Sequence, residues 1–177
     1  MVVAESGLQS NLDKALSGWE RTVIMGIGNE LGGDDSLGLV AAQRLKEALS
    51  GIPGVEVLAA GTAPENFTGL LRRLSPSHIL IVDAAEMGEA AGTIELVDAD
   101  RTEEVLPSTH TLSLKILVKY LEEELGSKVI IIGIQPKELS FGAKVSEEVG
   151  NSVRNLVHLL EQIMSLPQAR QHKKEGA

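Results

Sequence analysis

TVIMGIGNELGGDDSLGLVAAQRLKEAL, residues 22–49, changes its apolar period halfway along. Thr22–Gly28 is almost wholly apolar, the pattern of a strand covered on both faces. From about Ser36 to Leu49, the apolar positions Leu37, Val40, Ala41, Leu45 and Leu49 fall on one stripe of a helix. A buried strand, a glycine-rich loop and an amphipathic helix in succession open an α/β domain.

The same alternation continues outward. Gly51-Ile-Pro-Gly54 breaks the chain before a second strand, Val55–Ala60. Asn66–Leu74 reads as a short helix, and Ser75-Pro76 ends it. His78–Ala84 is a third buried strand, and Thr93–Val97 alternates like an edge strand or hairpin. Leu114, Leu117, Val118, Leu121 and Leu125 mark a further amphipathic helix, Lys128–Gln135 a central strand, and Val149 to Ile163 a long closing helix. The pattern predicts a single three-layer α/β domain, a mainly parallel sheet between helices, and 177 residues suffice for its core.

Composition removes several classes of function. With no cysteine, disulfides, thiolate metal sites and a cysteine nucleophile are all excluded, so any metal must rest on imidazole and carboxylate. A net charge of −9 and 2% aromatic residues argue against a nucleic-acid partner, which needs a basic surface or stacking rings. The basic cluster Arg170–Lys174 reads as a solvated terminus. No apolar run reaches the ~18 residues of a membrane span, and Met1–Glu20 lacks the basic and apolar regions of a signal peptide, so a cytoplasmic protein without membrane insertion is expected.

Ligands of open α/β sheets bind at the carboxyl ends of the strands. Three polar positions converge there from separate segments: Asp35 in the loop after the first strand, Asp83 at the end of the third, and His110 before the next amphipathic helix. Two carboxylates and an imidazole with an open coordination position suit a divalent transition metal. Each residue also has an ordinary reading. Asp34 or Asp35 would cap the following helix, Asp83 would form a turn, and His110 would be a surface-loop histidine.

The glycines do not make a nucleotide site. Leu31 stands where a dinucleotide fingerprint needs its third glycine, and Asp34-Asp35 replaces the Lys and Ser/Thr of a phosphate loop. Gly-x-Ser-x-Gly and His-Glu-x-x-His are both absent. His78, His158 and His172 read as structural or solvated.

Six blocks, GIGNELGGDDSLG (26–38), GTAPENF (61–67), ILIVDAAEMG (79–88), GTIELVD (92–98), STH (108–110) and GIQP (133–136), resemble in order and spacing the hydrogenase maturation endopeptidase family, most closely its formate-hydrogenlyase and membrane-bound hydrogenase branch. The resemblance assigns residues 21–168 to the domain, 1–20 to an N-terminal extension and 169–177 to a tail. It implies a twisted, mainly parallel sheet and an endopeptidase that removes the C-terminal peptide of a nickel-iron hydrogenase large-subunit precursor after nickel insertion. It further implies that Asp35, Asp83 and His110 contact nickel carried by the substrate and serve catalysis, with no tightly bound cofactor of the enzyme's own. Close relatives carry Asp-Gly-Gly where this chain has Ala59-Ala60-Gly61. A hydrolase with its own zinc and a non-catalytic chaperone that binds the precursor tail are the alternatives. Asp83 and His110 are expected to be exposed in a cleft open to water.

Overall fold

The computed structural model describes residues 2–106 and 113–166. Its elements are α1 (Val2–Ala15), β1 (Thr22–Ile27), α2 (Leu37–Ala48), β2 (Val55–Gly61), α3 (Thr68–Leu74), β3 (His78–Ala84), β4 (Ile94–Val97), α4 (Thr102–Val105), α5 (Leu114–Glu123), β5 (Lys128–Ile134) and α6 (Glu147–Ser165). The strands form one sheet in the order β2-β1-β3-β5-β4. All neighbours run parallel except β4, which lies antiparallel on the outer edge of β5. The expected three-layer, mainly parallel sheet is therefore present, and Thr93–Val97 does supply an edge strand.

Strand parity divides the core in two. Ile24, Leu80, Val82, Ile130 and Ile132 face α2 and α6, packing on Leu37, Ala41, Leu45, Val153 and Leu156. Val23, Met25, Ile79, Ile81 and Ile131 face the other way, against Leu71 of α3 and Leu114, Leu117, Val118 and Leu121 of α5. Every residue of β1 and β3 is buried, which explains why both read as unbroken apolar runs.

The end of α1 and the turn after it join this core. Leu12, Leu16 and Trp19 are at most 1% exposed and pack in the same cluster as α2 and α6. Among the described residues, no helix is long and apolar enough to cross a membrane.

Candidate active site at the carboxyl rim

Two glycines bring α2 onto the sheet. A β-carbon on Gly26 would lie 1.9 Å from the carbonyl oxygen of Gly38, and one on Gly38 would lie 2.0 Å from Ile27 O and 2.5 Å from Val82 O. Only hydrogen on both α-carbons lets the first turn of α2 rest on the backbones of β1 and β3. The glycines quoted above thus serve close packing, and no phosphate is needed to explain them.

That approach sets the loop between β1 and α2. Asp35 N–H donates to Gly32 O at 3.0 Å, and Asn29 N–H reaches Asp35 O at 3.2 Å. Asn29 Oδ1 accepts from Leu31 N–H at 3.0 Å, closing the bend. Asp34 and Asp35 both lie in a 3-10 turn, Gly33–Ser36, which packs against β3. The capping reading fails, because Ser36 holds the N-cap position of α2 and makes no side-chain capping bond.

Asp83 closes β3, the strand hydrogen-bonded beside β1 in parallel register. Its Oδ1 accepts from the N–H of Ala84 at 2.8 Å. Asp35 and Asp83 therefore stand at the carboxyl ends of adjacent strands. His110 lies outside the described residues. Among those described, no three His or acidic side chains assemble into a metal-binding group. One expectation is corrected: Asp83 is fully buried, and Asp35 is 4% exposed. A polar residue at a strand end suggests solvent, but the loops gathered on this rim cover both carboxylates.

Asp34, the neighbour, has a different task. Its Oδ2 accepts from the N–H groups of Lys137 (2.8 Å) and Glu138 (2.9 Å) and from Ser146 Oγ (2.9 Å), and its Oδ1 accepts from Ser146 N–H (2.6 Å). Burial alone would raise its pKa. The bonds from Ser146, Lys137 and Glu138 outweigh burial and hold the carboxyl below its usual range. Asp34 is thus a fixed anion that locks the loop after β5 to the loop after β1. The donors lie more than a hundred residues away, so no local signal in the sequence marks this role.

Gln135, at the end of β5, fastens the third loop of the rim. Its Oε1 accepts from Met87 N–H (2.7 Å) and Glu89 N–H (3.3 Å), and its Nε2 donates to Glu86 Oε2 (2.9 Å). The GIQP block contained it, without revealing its partners. Ala59 is exposed near the end of β2. Ala60 falls where the pairing of β1 with β2 slips by one residue.

The other histidines stand apart. His78 begins β3 at the opposite rim, is 6% exposed, and has Nδ1 3.0 Å from Ser77 Oγ. The same Ser77 hydroxyl bonds Arg21 O at 3.0 Å, tying His78 to the start of β1. His158 is exposed on α6 beside Gln162 at 3.0 Å. The structural reading of His78 and the solvated reading of His158 both hold; His172 lies outside the described residues.

Comparison with known proteins places this chain in a family. The model of the hydrogenase maturation protease family HycI matches residues 40–163. A Methanocaldococcus jannaschii protein provisionally named a hydrogenase maturation protease is 41% identical over 160 residues, covering 86% of this chain and 93% of its own. The hydrogenase 3 maturation protease of Escherichia coli K12 is 34% identical over 140 residues, covering 78% of this chain and 88% of its own. The crystal structure of the [NiFe] hydrogenase maturation protease HycI from Thermococcus kodakarensis superposes with a TM-score of 0.81 at 34% identity, covering 88% of this chain and 99% of that one. The chain belongs to the hydrogenase maturation protease family and is an endopeptidase.

Proposed function

We propose that this endopeptidase removes the C-terminal peptide of a nickel-iron hydrogenase large-subunit precursor after nickel insertion, and that Asp35, Asp83 and His110 contact the nickel the precursor carries. The observation that carries this reading is the placement of Asp35 and Asp83 at the carboxyl ends of adjacent parallel strands, in a family that processes hydrogenase precursors.

Two carboxylates and one imidazole form an incomplete donor set, and the chain has no thiolate to add. Nickel is borderline-soft and accepts nitrogen, oxygen and sulfur together, so thiolates of the precursor complete its coordination. Recognition then depends on metal that arrives with the substrate, and cleavage follows insertion. Hydrolysis of the peptide bond needs a water deprotonated as it attacks the carbonyl. We assign that general-base role to Asp35, which the 3-10 turn holds in place. Asp83, fixed by the N–H of Ala84, serves as a positioned metal contact.

Processing of nickel-loaded and nickel-free precursor by one enzyme preparation, followed as loss of the C-terminal peptide by mass spectrometry, tests the reading. Cleavage of the loaded form alone is expected. Equal cleavage of both would remove nickel from the recognition step.

A further inference from the structure

Leu31 and Phe141 are 53% and 80% exposed, and Leu139 between them is 39% exposed. The chain has only four aromatic residues, and among the described residues Phe141 is the most exposed large apolar side chain. Isolated exposed leucines are ordinary on any protein, whereas neighbouring large apolar groups on one rim mark a contact surface.

The backbone brings the two loops that carry these residues side by side. Gly142 N–H donates to Leu31 O at 2.7 Å, and Asp34 N–H donates to Glu138 O at 2.7 Å. A β-carbon on Gly33 would lie 2.5 Å from Glu138 O, so the two loops run in direct contact. Glu138 Oε1 accepts from Ser140 N–H at 2.8 Å, closing the bend just before Phe141. The carboxylate of Asp34 then fixes this loop to the turn that carries Asp35. The apolar patch and the candidate active site therefore share one hydrogen-bonded rim.

We propose that Leu31, Leu139 and Phe141 form the docking surface for apolar side chains of the precursor segment that enters the cleavage site. The occupant follows from continuity: Leu31 lies four residues before Asp35 in the same short loop. A chain bound across Asp35 lies beside the loops that carry the patch. Aromatic side chains at such places carry a large share of binding energy at modest entropic cost. The proposal rests on the enzyme's acting on a hydrogenase large-subunit precursor with Asp35 at the cleavage site; it does not require the nickel contact.

The test compares Leu31→Ser, Phe141→Ser and the double variant with wild type, using nickel-loaded and nickel-free large-subunit precursor. Because the side chains are exposed, melting should move little. The double variant should raise KM for the loaded precursor at least about tenfold while kcat stays within about twofold, the signature of lost binding common to substrate and transition state. Unchanged KM in a folded double variant overturns the proposal. So does wild-type self-association, seen by sedimentation, that the variants abolish without altering KM. If wild type cuts loaded and nickel-free precursor alike and the variants still raise KM, nickel recognition falls and the docking surface stands.

Discussion

Asp34 accepts both the backbone N–H and the hydroxyl of Ser146, at 2.6 and 2.9 Å, and so ties the loop after β1 to the start of α6 across the carboxyl rim. With the N–H groups of Lys137 and Glu138, four donors converge on one buried carboxylate. This arrangement orders the rim from within, beside the residue assigned to the chemistry.

Replacing Asp34 by Ala would strip partners from all four donors at once. We expect a loss of about 2 to 4 kcal/mol in urea denaturation, the range for buried polar groups left unsatisfied. Asp34→Asn should recover only part of it, because one amide end presents hydrogen to hydrogen. The carboxyl is held below its usual range, so its contribution is present above about pH 4 and fades only as pH falls through the lower native value. An Asp34→Asn protein as stable as wild type at pH 7 would show that the clamp is dispensable.

Gly38 admits no side chain. A methyl group there would meet Ile27 O, Val82 O and Ile27 N, all backbone atoms that cannot rotate aside. Gly38→Ala should therefore cost about 3 kcal/mol or more and lower the melting temperature accordingly. Gly69→Ala, where nothing lies within 4 Å, is the internal control and should be neutral or mildly stabilising.

His78 makes stability depend on pH between about 5 and 7. Burial first, and the nearby Lys128 second, push its pKa below the ordinary value. The unfolded chain takes up a proton as pH falls through about 6.5, before the native imidazole does, so stability present above that pH is lost on acidification. Melting measured from pH 7 to 5 should decline less steeply in His78→Gln than in wild type. Parallel slopes would exclude His78 as the source.

Much of the fold was legible because the strands are buried on both faces. The runs at 22–28 and 78–84 admit little else, and stripes such as Leu114-Leu117-Val118-Leu121 show the helices that cover them. Helix α1 was missed: Val2–Ala15 is mostly small or polar, and its grip on the core comes from Leu12 together with Leu16 and Trp19 beyond its end. The places of Asp35 and Asp83 on the carboxyl rim could be read from the loop after the first strand and the end of the third. The clamp of Asp34 and the burial of Asp83 could not, since both arise from loops far apart in the chain.

Asp83→Asn and His110→Ala should leave the protein folded yet leave nickel-loaded precursor uncut. For Asp83 the amide is the appropriate change, because the side chain is fully buried and a smaller group would open a cavity. We expect circular dichroism near wild type and processing reduced at least about a hundredfold, the scale of losing a positioned catalytic group. Wild-type processing by folded variants would dismiss both residues as nickel contacts.

The most direct measurement is the metal content of the purified enzyme, set against its activity after chelation. Two carboxylates and one imidazole should hold zinc or nickel weakly until substrate thiolates join them. We expect enzyme purified without added metal to be largely metal-free, and enzyme treated with chelator and then dialysed to retain full activity on nickel-loaded precursor and none on nickel-free precursor. Stoichiometric zinc that survives purification, with activity lost when the enzyme alone is chelated, would contradict substrate-borne nickel and identify a hydrolase that carries its own metal.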